Sequence, residues 1–239
     1  MGVEQAVVRL EETDHGVVIL RRPVQAPTAG VVIVHAPGEN RTGNNYFLSH
    51  AAAQMAAQNM ATVNFHLSGF GDSLGRKDVA TWAAQVESAG AWLAAETAGQ
   101  PVHFIARGAG AAVLPADAAR GQRIAIGPPT PAEVKALAAT SHNGSVTGAH
   151  PCPPDEEALW AALGAEPNLV GGLELPEEVL IGLASRLDTP RWDHEVVPRG
   201  REARVRSRIL LPADDLLVRM QITRLGLTHT LIEFLRSWS

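Results

Sequence analysis

A chain of 239 residues, 46% of them hydrophobic, can bury one α/β core with an inserted segment. The net charge of −5 and the lack of any Lys/Arg-dense helix argue against nucleic acid, and no apolar run nears the roughly 18 residues of a membrane span. A single cysteine, Cys152, rules out a disulfide framework and a cysteine-rich metal centre.

Val3 to Leu10 and Gly16 to Arg21 read as strands joined by a hairpin near Asp14-His15-Gly16. The N-terminus carries early acids and no apolar signal core, and Ala6 stands where a myristoylation signal needs Ser or Thr. The expected location is therefore cytoplasmic, with no membrane partner. Gly30 to His35, GVVIVH, is a β-branched run suited to a buried parallel strand. A Gly/Asn/Pro-rich loop from Ala36 to Asn45 leads to an Ala-rich helix, Tyr46 to Gln58. Met60 to Leu67 is the next strand, and Ser68 to Ser73 a glycine turn. Val79 to Thr97 has Trp82, Val86 and Leu93 near one face of a helix. Strands follow at Pro101 and at Gln122 to Ile126. Strands alternating with helices predict a doubly wound, mostly parallel α/β sheet.

The rhythm breaks at Pro128. The stretch to Asp188 is proline-interrupted and acidic, and it reads as a helical cap or lid, residues 129–188, inserted into a core of residues 1–128 and 189–239. Beyond it the chain turns arginine-rich, from Arg191 to Arg208. Those arginines suit cap–core contacts, an acidic substrate or plain solvated surface. An amphipathic helix ending in Phe234-Leu235-Arg236-Ser237-Trp238 closes the chain.

The most informative stretch is Pro101 to Val113: a short strand, an abrupt turn, then a small-residue helix. Its turn, Ala106-Arg107-Gly108-Ala109-Gly110, resembles the nucleophile elbow of the α/β-hydrolase superfamily, in which G-x-S-x-G carries the serine. Three more pieces resemble that superfamily in the right order. His35-Ala36-Pro37-Gly38 resembles the oxyanion loop. His66 to Ser73 resembles the D-x-R-G-x-G-x-S turn, with His66 and Ser68 replacing Asp and Arg. THTLIEFLRSW resembles the last helix. The resemblance implies an α/β-hydrolase fold with the nucleophile position vacant at Gly108.

The resemblance also implies an acid after the seventh strand, which makes Asp215 in LLPADDLLV the candidate and His229 the triad histidine. In the other register Arg206 to Leu211 is the last strand and His229 rides the final helix. A parallel crossover needs about a dozen residues, which counts against a strand at Met220 to Thr223. An oxyanion hole needs only backbone N–H groups, here near Gly38, Glu39 and Ala109. Glu39 and Asn40 are candidates at the mouth, and Arg107 could pair an anionic substrate group. His229 and Glu39 are the candidate bases. His142 and His150 form no i, i+4 ligand pair, and Ser68 to Gly75 is no Walker loop, so no metal and no cofactor is expected.

Without a serine, the chemistry such a site supports is proton abstraction next to a carbonyl. Serine-less members of the superfamily include the bottromycin-type peptide epimerases, which this chain resembles in size, missing serine and large cap. That resemblance implies a small-molecule or modified peptide substrate, such as an aspartyl peptide of a natural-product pathway. Two other readings stay open: a catalytically dead binding protein, and a hydrolase that uses bound water with His229 as base.

Overall fold

In the computed structural model, which describes residues 2–9, 17–118, 121–139, 145–147, 174–211 and 220–238, the β-branched runs form the centre of one sheet. The first strands are β1 (Val3–Arg9), β2 (Val17–Pro23), β3 (Ala29–Val34), β4 (Met60–Phe65), β5 (Val102–Arg107) and β6 (Arg123–Ile126). A small hairpin, β7 (Ser145–Thr147) with β8 (Glu174–Pro176), stands apart. Strands β9 (His194–Val197) and β10 (Ser207–Leu210) complete the main sheet, in the order β1-β2-β4-β3-β5-β6-β9-β10. The β1–β2 and β2–β4 pairs are antiparallel and every later pair is parallel.

All residues of β3, β4 and β5 are buried, as central parallel strands covered on both faces should be. Alternate side chains of β3 feed different cores. Val31 and Ile33 face helices α1 (Phe47–Ala57) and α5 (Gln221–Arg236), while Val32 and Val34 join Trp82 and Val86 of α2 (Val79–Glu96). Asp78 caps α2 by accepting from the Thr81 N–H at 2.7 Å.

The chain leaves β3 to form β4 on one side, then crosses back to form β5 on the other. That reversal opens a crevice outside the carboxyl ends of β4, β3 and β5, where open α/β sheets bind ligands.

Two expectations need correcting, and one choice of register left open is decided. The seventh strand of the sheet is β9, which the sequence reading passed over, so Leu211 onward follows the eighth strand and not the seventh. Asp215 itself lies outside the described residues, as do Cys152, His142 and His150. Met220 to Thr223 is no strand, since Gln221 already opens α5. The helix expected after the elbow is a single 3-10 stretch, Gly108–Val113. Pro115 ends it by forcing Leu114 into extended backbone, at φ −59° and ψ 143°.

Of the stretch expected as a cap, α3 (Pro131–Ala139), the hairpin and α4 (Glu177–Asp188) are described. Leu180, Leu183 and Leu187 of α4 are fully buried in one cluster with Trp82 and the elbow's Ala111 and Val113. Each such leucine contributes about 1.5–3 kcal/mol, so α4 is held as a core helix lying on the elbow. Two arginines beyond it bond back to this stretch. Arg201 donates to Glu133 of α3 at 3.1 Å, and Arg204 donates to the Leu187 carbonyl at 2.9 Å while covering the Trp192 ring.

Candidate functional site

The crevice is built from three chain segments, each leaving the carboxyl end of one strand. The first is the turn after β5. Gly108 stands at its tip with φ 53°, a left-handed conformation that any side chain would strain. Gly110 is small because the loop after β3 presses on it: a Cβ there would meet the His35 carbonyl oxygen at 2.5 Å. Elbow and oxyanion loop are thus in backbone contact, and Gly108 and Ala109 are both buried.

The second segment is the loop after β3. His35 is wholly buried and fully used. Its Nδ1–H donates to the Ala36 carbonyl at 2.8 Å, and its Nε2 accepts the Leu67 N–H at 3.0 Å. Burial drives its pKa down to about 4, against the raising effect of the Ala36 bond, so the ring is neutral at pH 7. Glu39 is buried too, and its carboxylate pairs with the Arg107 guanidinium while accepting the Ala36 N–H at 3.3 Å. The Glu39 N–H donates to the Ala36 carbonyl at 2.9 Å. These contacts overturn three expected roles. Glu39 is neutralised by Arg107 and is not a base at the mouth, and its N–H is not an oxyanion donor. Arg107 is turned to Glu39 inside the protein rather than to a substrate anion. Asn40 is exposed, and its side chain accepts from the Thr42 N–H at 2.9 Å. Gly38, at φ 99°, and Ala109 remain as candidate donors.

The third segment, the turn after β4, holds residues that sequence reasoning did not choose. His66 Nδ1 lies 2.5 Å from Asp72 Oδ1, and Arg41 of the β3 loop pairs with the other Asp72 oxygen. Nδ1 also lies 3.1 Å from two donors, the Asp72 backbone N–H and Arg41 Nη1; we assign the ring proton to Nδ1, toward the nearer carboxylate, which leaves the lone pair on Nε2. Nε2 is buried and has no hydrogen-bond partner. Burial holds His66 below the ordinary histidine range despite the opposing Asp72 carboxylate. Burial would raise Asp72, but the bonds from Arg41 and His66 outweigh it and hold its carboxyl low. Asn64 of β4 donates to the Arg41 carbonyl at 2.9 Å and accepts from Arg21 at 2.8 Å, which fixes the loop that carries Arg41. The turn itself is tied to α2 by Trp82, which donates to the Ser68 carbonyl at 2.8 Å, and by Gln85, which accepts the Ser68 N–H at 2.8 Å. The signal available in the sequence was the replacement of the superfamily's Asp by His66, with an acid six residues on.

His229 does not join these groups. It is exposed, two turns into α5, and lines a cavity of about 350 Å³ between α1 and α5 together with His50, Gln54 and Glu233. That is the helix-riding register. Among the described residues no group of three or more His, Cys, Asp and Glu side chains could hold a metal ion, and no helix is long and apolar enough to cross a membrane.

No family model and no curated protein matches the sequence. Solved structures do. Mouse alpha/beta hydrolase domain-containing protein 10 is 15% identical, with a TM-score of 0.64 over 99% of this chain and 100% of its own. A carboxyl esterase from Bacillus coagulans is 12% identical, with a TM-score of 0.65 over 99% of both chains. DcsB, solved with a substrate analogue, is 11% identical, with a TM-score of 0.66 over 99% of this chain and 100% of its own. The strand order, the elbow turn and these likenesses together give the chain the α/β-hydrolase fold.

Proposed function

We propose that this protein is a non-hydrolytic enzyme of the α/β-hydrolase fold that moves a proton at a carbon next to a carbonyl, without a covalent intermediate. The observation that carries the reading is Gly108, a residue with no side chain at the tip of the β5 turn. Esterases and lipases of this fold attack from that position. Here, backbone donors around Gly38 and Ala109 can polarise a carbonyl, and one such donor is worth about 3 kcal/mol where charge develops on oxygen. Stabilising an enolate needs that polarisation and a base, and no nucleophile. The expected substrate is a peptide or natural-product intermediate, an aspartyl residue included, and the visible outcome is epimerisation.

The test has two arms. An organophosphonate probe should label no serine. Incubation of N-acetyl-L-aspartyl-glycinamide in deuterium oxide should give uptake of one deuterium at the aspartyl Cα, read by mass. Labelling of a serine beside the elbow overturns the non-hydrolytic reading.

A second reading, a catalytically dead binding protein, is favoured by one observation: the elbow is buried and the Glu39–Arg107 pair closes the loop beside it. Binding of the same peptide without deuterium uptake selects this reading.

A further inference from the structure

We infer that His66 is the base of this site, with Asp72 and Arg41 as its positioning residues; the inference rests on the proton-transfer reading above. Three observations on separate chain segments lead to it. The ring sits at the carboxyl end of β4, in the crevice made by the reversal of strand order. Its Nδ1–H is held at 2.5 Å by Asp72, which is itself held by Arg41 from the oxyanion loop. Its Nε2 is the one ring nitrogen here without a partner, while the neighbouring His35, 6.0 Å away ring to ring, spends both nitrogens on backbone groups. A carboxylate that fixes the Nδ1–H tautomer and leaves Nε2 as acceptor is the base half of a triad.

The geometry also says where the proton comes from. Strands β4 and β5 flank β3, so their ends lie about 10 Å apart. A substrate carbonyl held near Gly38 and Ala109 over the end of β3 places its α-carbon toward His66. The C–H proton passes to Nε2, and the C–H electron pair becomes the enolate π bond while the carbonyl pair moves onto oxygen. The imidazolium is stabilised by Asp72. Return of a proton to carbon restores the carbon acid, from Nε2 on the face it left or, for inversion, from water on the opposite face while Nε2–H returns its proton to solvent, with no net redox change and no leaving group. Gly71 packs flat against the His66 ring, where a Cβ would meet Cε1 at 2.2 Å and Nε2 at 2.5 Å, so only glycine fits beside the ring.

The first experiment needs no substrate. His66 Nε2 is buried, so a substrate reaches it only when the turn around it opens; diethyl pyrocarbonate acylates an imidazole lone pair that such opening exposes, and peptide mapping reads each histidine separately. His66 should be modified in the folded protein alongside the exposed His229, while His35 stays unmodified. Protection of His66 equal to that of His35 overturns the assignment. The second uses deuterium uptake by N-acetyl-L-aspartyl-glycinamide. His66→Gln should lower the rate at least 100-fold. Asp72→Asn, which keeps the shape, should also lower it, because an amide donor to Nδ1 moves the ring proton to Nε2. The ¹⁵N spectrum of the His66 ring should show that tautomer change, a signature that mere loss of packing does not give. Full uptake in folded His66→Gln overturns this assignment and leaves the proton-transfer reading intact. No uptake in the wild-type protein overturns both.

Discussion

Two ionic links leave the same loop, and they differ in how far they are taken from water. Glu39 reaches across to Arg107 at the end of β5, and both side chains are essentially inaccessible, at 0% and 1% exposure. Arg41, two residues on, reaches the other way to Asp72 and His66 beyond β4, where the Asp72 side chain is 45% exposed. The first pair has no route for a proton to or from solvent, and its desolvation cost is offset only while both partners stay charged and bonded. The second sits at the boundary, where a carboxylate can stay ionised and an imidazole can change state. The same residue types thus make a fixed clamp on one side of β3 and, in the reaction proposed above, the base and its supports on the other.

Breaking the clamp should give the largest effect. Glu39→Gln leaves Arg107 charged and buried, and should destabilise the fold by about 3–5 kcal/mol. Asp72→Asn, at the exposed link, should cost no more than about 1 kcal/mol. Urea unfolding of both variants at pH 7 compares them directly. Equal losses would mean that burial does not separate the two links.

Acid should act next, and on the buried side. His35 and His103 are both pushed down to about 4, chiefly by burial. An unfolded histidine titrates near 6.5. Between those values the unfolded chain binds more protons, so the contribution of each ring is intact above pH 6.5 and is lost as pH falls toward 4. The slope is about 1.4 kcal/mol per pH unit for each ring at its steepest. His35 has a local reason as well, because protonated Nε2 would face the Leu67 N–H that it now accepts. Stability should therefore drop from pH 6.5 to 4.5, and His103→Asn should make the drop shallower. A flat profile would refute the burial argument.

The sequence made the fold legible where one residue pattern sufficed. The β-branched run of β3, the short strand β5 and the glycines of both turns read correctly, because their burial and backbone shape depend on little beyond local pattern. Strand β9 was missed for a physical reason. It reads His194-Glu195-Val196-Val197, and its two polar residues are buried only because distant partners satisfy them. His194 is bonded to Ser207 and Gln122, and Glu195 to Trp192 and the Arg204 N–H. Missing that strand shifted the strand count by one, and His229 rides the final helix. At the site, Glu39 and Arg107 were legible as special but not as each other's partner, since nothing local says that a loop acid will meet a strand-end arginine.

Gly108→Ser probes the boundary between the two sides. Its left-handed backbone should cost the variant roughly 1 kcal/mol. Hydrolysis of p-nitrophenyl acetate should stay at background, because His229 lies on α5 and the end of β4 is about 10 Å from β5. Burst release of p-nitrophenol would show that His66 reaches the elbow directly, and would redraw the separation between clamp and chemistry.

The smallest effect tests the comparison with one substitution made twice. Arg→Lys keeps the charge and removes the planar fork. At Arg107 the shorter, more strongly hydrated ammonium must be buried beside Glu39, so a loss of several kcal/mol is expected. At Arg41 the side chain is 22% exposed and its partner more so, and water can replace what the fork provided. Arg41→Lys should change stability by no more than about 0.5 kcal/mol. Its signature lies elsewhere. The Arg41 hydrogen bond is the largest of the influences that hold Asp72 down against burial. Weakening it should move the Asp72 carboxyl upward, seen by carbon NMR, while the urea midpoint scarcely moves. A large stability loss at Arg41 would show that the exposed link is a second clamp, and would remove the physical ground for giving His66 the chemistry.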